Sequence, residues 1–148
     1  MKNLLISACL LGVECKYSGG SNALPEETIE KLRTRYRLIP VCPETAGGLP
    51  TPRDPSERLG ERVVSCHGAD VTTQFKKGAE AALTLARRYG CTTALMKEHS
   101  PSCGSGLIYD GSFSGKLVKG DGCAAELLKA AGVSVVGENV TELLTMPE

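Results

Sequence analysis

Seven cysteines punctuate this 148-residue chain, at positions 9, 15, 42, 66, 91, 103 and 123, with no two in a C-x-x-C spacing. A thiol redox enzyme needs a resolving cysteine close to the attacking one, so the spacing counts against that chemistry. The usual zinc-finger spacings are also missing, and a bound metal would have to gather ligands from distant parts of the fold. Three of the thiols stand in turn-forming surroundings: Cys9 in SACLLG, Cys42 in VCPETAGG and Cys103 in HSPSCGSG. The last stretch carries too much proline and glycine for a regular helix or strand. Nearby Gly12, Gly47, Gly48 and Gly104 would let the backbone come close to a bulky ligand. Three such thiolates could bind zinc together with His67 or His99, hold an iron–sulfur cluster with one iron left open, or supply a nucleophile. Spacing alone leaves those alternatives standing.

The elements that must position these thiols alternate between strand and helix. The apolar run at 3–8 reads as a strand buried on both faces. Pro25 with Glu26 and Glu27 opens a helix to about Tyr36, and RLIPV at 37–41 is the next strand. A long Pro- and Gly-rich irregular stretch follows Cys42. RVVSC at 62–66 is a short strand, and a helix runs from Asp70–Thr73 to Tyr89 with Phe75, Ala79, Ala82, Leu83 and Ala86 on one face. TTALMKE at 92–98 is the third main strand. A β-hairpin is expected near 108–118, with turns at Asp110-Gly111 and Ser114-Gly115. A helix at 122–131, the strand VSVVG and a last helix starting at Asn139 with Glu142 complete the series. The expected fold is a single-domain α/β sandwich over residues 1–148, with a mostly parallel sheet flanked by helices.

If the strands are parallel, Cys9, Cys42 and Cys103 all fall at the carboxyl edge of the sheet, where open α/β folds bind ligands. Their separations of 33 and 61 positions suit one ligand per crossover. Cys91 precedes its strand and Cys123 starts a helix, so both read as small packing residues. Cys15 shares a loop with Cys9, and Cys66 ends a strand beside His67.

Composition narrows the function classes. The chain is 41% hydrophobic and 23% charged, with 17 basic and 17 acidic side chains. A net charge of zero shows no nucleic-acid footprint. Two Phe, four Tyr and no Trp offer no stacking platform for single strands. No apolar run reaches the roughly 20 residues of a membrane span. The start, MKNLLISAC, resembles a lipoprotein signal, but its apolar stretch is far shorter than the roughly 7–15 residues of a signal peptide. A cytoplasmic protein without a disulfide framework is expected.

In order along the chain, SACLLGVECKYSGGSN (7–22), PVCPETAGGLPTPRDPSE (40–57), GADVTTQFKKGAEAAL (68–83), KEHSPSCGSGLIYDGSFSGKLVKGDG (97–122) and GVSVVGEN resemble the thiouracil desulfidase family. The resemblance covers nearly the whole chain. It implies a 4Fe-4S cluster held by Cys9, Cys42 and Cys103, with one open iron that takes the sulfur of a thiolated pyrimidine. It also assigns the family's acidic residue to Glu44 and its serine to Ser100. Hydrolytic replacement of sulfur by oxygen needs a base for water and a proton source, roles suited to Glu44 and Ser100. Tyr17, Asn22 and Arg53 are the candidates for contact with the pyrimidine. The plainer alternatives are an ion pair between Glu44 and Arg53 and a turn role for Ser100. A non-catalytic iron–sulfur or zinc module is the competing function, and it has no use for a base beside its ligands.

Overall fold

Leu4, Leu5 and Ile6 are wholly excluded from solvent, at about 1.5–3 kcal/mol of hydrophobic stabilisation each. They lie on β1 (Lys2–Ser7) of a computed structural model that describes residues 1–138, 140, 143 and 144. On one side β1 pairs in parallel with β2 (Tyr36–Val41), and on the other a parallel ladder joins it to the later strands of the central sheet. Between them, β3 (Ser56–Leu59) and β4 (Arg62–Ser65) form a separate antiparallel hairpin. The central sheet continues through β5 (Thr93–Leu95), which pairs with β1, and a short antiparallel pair, β6 (Leu107–Tyr109) and β7 (Leu117–Lys119), stands apart. The last strand, β8 (Ser134–Val136), closes an all-parallel sheet of order β2-β1-β5-β8.

Strand alternation sends side chains to two cores. The described α-helices are α1 (Glu26–Arg35), the four-residue α2 (Pro43–Ala46), α3 (Thr72–Arg88) and α4 (Cys123–Ala130). Leu5, Val41, Ala94 and Met96 pack with α3 and α4. Leu4, Ile6 and Leu95 face the opposite way, against Leu32 of α1 and Leu143. The expected face of α3 is the buried one: Phe75, Ala79, Ala82, Leu83 and Ala86, joined by Gly78. Glu26 and Glu27 in its first turn and Arg33 and Arg35 in its last suit the dipole of α1.

From β1 the chain goes outward through α1 to β2, then crosses back past β1 to β5 and β8. The carboxyl ends of β1 and β5 therefore flank the point where the winding reverses, which is where such sheets open a ligand crevice.

Three expectations change in detail. The stretch after Cys42 contains α2 and β3, and β4 joins β3 instead of the central sheet. The polar sequence of β3, Ser-Glu-Arg-Leu between prolines and glycines, carries no apolar alternation to reveal it. β5 ends sooner than the expected 92–98 because side chains take over its backbone donors. Lys97 N–H donates to Ser7 Oγ at 2.9 Å and Glu98 N–H to Glu138 Oε2 at 3.1 Å. The β6–β7 hairpin is tied to β3 by Glu57 Oε1, which accepts from the N–H groups of Gly111 and Phe113 at 3.0 Å each. The helix start expected at Asn139 and Glu142 lies outside the described residues. No described helix is long and apolar enough to cross a membrane.

Candidate functional site

Three loops leave the carboxyl edge of the sheet, and each carries one of the three thiols. Cys9 sits in a 3-10 turn (Ala8–Leu11) that follows β1 directly, its carbonyl accepting from Asn22 N–H at 3.0 Å. Cys42 follows β2 and caps α2. That short helix lies backbone to backbone on α3. A Cβ on Gly47 would fall 2.0 Å from the Gln74 carbonyl oxygen, and one on Gly78 would fall 1.9 Å from that of Pro43. Only glycines permit this approach, and it fixes where Cys42 and Glu44 stand. Cys103 lies in the loop after β5. The first N–H groups of α4 lack intrahelical partners and are satisfied by this loop: Cys123 N–H donates to Pro101 O at 2.8 Å, and Ala124 and Ala125 to Ser102 O at 2.9 and 3.1 Å.

The thiols sense one another. Burial raises the Cys9 thiol pKa, opposed by a hydrogen bond from Asn22 and reinforced by Cys42. Burial pushes Cys103 up to about 12 against hydrogen bonds from Ser7 and Ser102, with Glu44 and Cys9 adding to the rise. Cys15 is also pushed up to about 12, by burial and then by Cys42 and Cys9. The Cys42 thiol points at the Cys15 carbonyl, 3.8 Å away. Holding these groups as thiolates requires a thiophilic cation that displaces their protons.

Glu44 stands beside them, its side chain 17% exposed. Arg53 grips Oε1 through Nε and Nη2, both at 3.1 Å. Ser102 Oγ donates to Oε2 at 3.0 Å. A carboxylate offers about four acceptor positions, so room for one further donor is left.

The structure gathers most of the residues expected from sequence and gives several an employment of their own. Arg53 commits all its N–H donors within the protein: to Glu44, to Cys15 O at 2.9 Å, to Pro50 O at 3.1 Å and to Thr51 Oγ1 at 3.0 Å. The Asn22 side chain is bonded to the Cys9 thiol. The Tyr17 ring is exposed, while its carbonyl accepts from Arg53 N–H at 2.8 Å. Ser100 Oγ accepts from the N–H groups of Ser102 and Cys103, both at 3.1 Å, and meets Ser102 Oγ at 3.0 Å. Cys91 is buried in the α3–α4 core and Cys123 packs against it, as expected of small apolar residues. Lys97, beside the site in sequence, pairs with Glu138 at 2.9 Å.

Two site residues were not foreseen. Ser102 is 1% exposed and its hydroxyl also lies 3.6 Å from Cys103 Sγ. Ser7, 2% exposed, ends β1 beneath Cys103. Nothing in sequence separates either from a turn or strand-end serine, although Ser102 does adjoin a candidate ligand.

The donor set is soft and all-thiol. Each of the two histidines considered as a zinc ligand uses Nδ1 elsewhere, His67 on Asp54 at 2.9 Å and His99 on Leu107 O at 3.3 Å. Among the described residues, the metal-ligating group whose donor atoms all lie within 4.8 Å of one another is Asp54, Cys66 and His67. The edge thiols do not form such a group.

The model of the 2-thiouracil desulfurase family matches residues 4–140. The uncharacterized protein YbbK of Bacillus subtilis (strain 168) is 42% identical over 146 residues, covering 92% of this chain and 95% of that protein. A solved structure described as the [4Fe-4S]-dependent thiouracil desulfidase TudS superposes with a TM-score of 0.92 at 45% identity, covering 97% of this chain and 95% of that one. The chain belongs to the 2-thiouracil desulfurase family.

Proposed function

We propose that this protein is a thiouracil desulfidase that replaces the sulfur of a thiolated pyrimidine by oxygen and releases sulfide, using a 4Fe-4S cluster held by Cys9, Cys42 and Cys103. The observation that carries the reading is one juxtaposition: thiols from three separate loops share an edge of the sheet with a carboxylate gripped between Arg53 and Ser102. Such a cluster, held by three thiolates, supplies a thiophilic, Lewis-acidic iron with a free position for the substrate's sulfur.

The chain's own residues supply the rest. Ser100, its oxygen held by two backbone N–H groups, steadies Ser102 against Glu44, whose remaining acceptor position takes the attacking water. Glu44 is the base that takes the water's proton, and Arg53 holds its carboxylate in place. The exposed ring of Tyr17 offers a face to the pyrimidine, and Asn22 acts beside it through Cys9. A metal-storage module has no need of this carboxylate.

The test is iron and acid-labile sulfide per chain after anaerobic reconstitution, with uracil and sulfide release assayed on the same sample. About four of each with uracil formed supports the desulfidase. Bound zinc, or a full cluster that leaves thiouracil intact, favours the non-catalytic metal module.

A further inference from the structure

Ser102 joins two residues that the sequence reading named separately. Its Oγ lies 3.0 Å from Ser100 Oγ and 3.0 Å from Glu44 Oε2. The direction of this chain follows from counting protons. A hydroxyl has one proton to give and two lone pairs. Ser100 Oγ accepts from two backbone N–H groups, which fills both lone pairs and leaves its proton to give to Ser102. Ser102 must pass its own proton onward. The Glu44 carboxylate at 3.0 Å is a stronger acceptor than the Cys103 sulfur at 3.6 Å. The resting polarity is Ser100 to Ser102 to Glu44.

We propose that Ser102 is a positioning residue that holds Glu44 as the base and leaves the carboxylate's one free acceptor position to the attacking water. The inference rests on the proposed function. As the water adds to the ring carbon, one of its O–H bonds breaks and that proton goes to the free acceptor position of Glu44, which becomes a carboxylic acid. Ser100 and Ser102 keep their own protons throughout. Glu44 then returns its proton to the departing sulfur, and the hydroxyl left on the ring carbon releases the second proton to it as the carbonyl forms. Water and thiocarbonyl have become carbonyl and hydrogen sulfide, the carboxylate is restored, and no electron is transferred.

The test uses the cluster-loaded enzyme with thiouracil, comparing wild type, Ser102→Ala and Ser102→Thr. Ser102→Ala is expected to lower kcat by about 10- to 100-fold while KM stays within about twofold. Ser102→Thr, which keeps a hydroxyl, should recover much of the loss. Independently of activity, the thermal midpoints of Ser102→Ala, Glu44→Ala and the double variant should be non-additive, as for bonded partners. Iron content identifies any variant that has lost the site, and Ser102→Thr then carries the comparison. Wild-type kcat in Ser102→Ala, or a fully loaded Ser102→Thr no faster than Ser102→Ala, overturns the inference. A wild-type enzyme that leaves thiouracil intact overturns the proposed function instead, and the midpoint cycle then decides alone whether Ser102 and Glu44 are coupled.

Discussion

At the carboxyl edge of the sheet, Cys9, Cys42 and Cys103 come from three separate loops, and the thiols of Cys9, Cys15 and Cys103 are raised by burial and by neighbouring thiols. On the β3–β4 hairpin, Asp54, Cys66 and His67 crowd within 4.8 Å but stand in solvent. Judged by distance alone, the hairpin group is the better metal site. Its geometry already has an explanation, since the His67 ring is bonded to Asp54 at 2.9 Å with the two side chains 76% and 53% exposed. Exposed pairs of this kind are worth less than about 1 kcal/mol. The edge thiols are more withdrawn from solvent and are met by Asn22, Ser7, Ser102 and the Cys15 carbonyl. The edge group costs more to build, because two glycines and the start of α4 are committed to holding its loops, and that investment marks it as the functional region.

The comparison breaks most easily at the thiols themselves. Replacing Cys9, Cys42 or Cys103 by alanine is expected to abolish cluster assembly, read as iron and acid-labile sulfide falling to background; retention by any one of them would remove it from the ligand set. Next in size is Glu44→Ala, expected to keep the cluster and lose about 10²–10⁴-fold in turnover. Full activity in that variant would leave Glu44 with only its ion pair. Gly78→Ala sharpens the structural half, since its Cβ would meet the backbone of Pro43 at 1.9 Å. We expect a loss of about 1–3 kcal/mol in stability with reduced iron uptake, measured by denaturant unfolding and metal analysis, and unchanged values would deny the close seating of α2.

The cluster-free chain offers a test by pH. The folded pKa values of Cys15 and Cys103, about 12, lie above the ordinary thiol value of 9.0. Folding therefore retains protons that the unfolded chain has released. The contribution is complete below about pH 9, and stability falls as pH rises from there towards 12. Thermal midpoints across that range should drop, and a flat profile would contradict burial of these thiols. The smallest effects belong to the other cysteines. Cys66→Ala should change stability by no more than about 0.5 kcal/mol and Cys91→Ala by about 1 kcal/mol, with iron content and turnover intact in both. Lost iron in Cys91→Ala would contradict its placement in the α3–α4 core.

Much of the arrangement was legible from residues. The apolar run at 3–8, the buried face of α3 and the turn formers around each thiol were enough to put Cys9, Cys42 and Cys103 at one edge, because strand and helix periods are local properties. β3 escaped because a polar four-residue strand has no apolar alternation. Ser102 escaped because a serine's chemistry depends on what lies within 3 Å of its oxygen, and Glu44 is 58 positions away.

By itself, then, the sequence determined which elements form, in what order, and which side chains can do chemistry, since those follow from periodicity, capping and the nature of the side chains. Only the tertiary structure decided which partners those side chains acquire. It turned Arg53 onto Glu44, set Ser102 between Glu44 and Ser100, and left Cys66 in water. Hydrogen bonds and burial are settled by contacts between distant segments, and no local pattern encodes them.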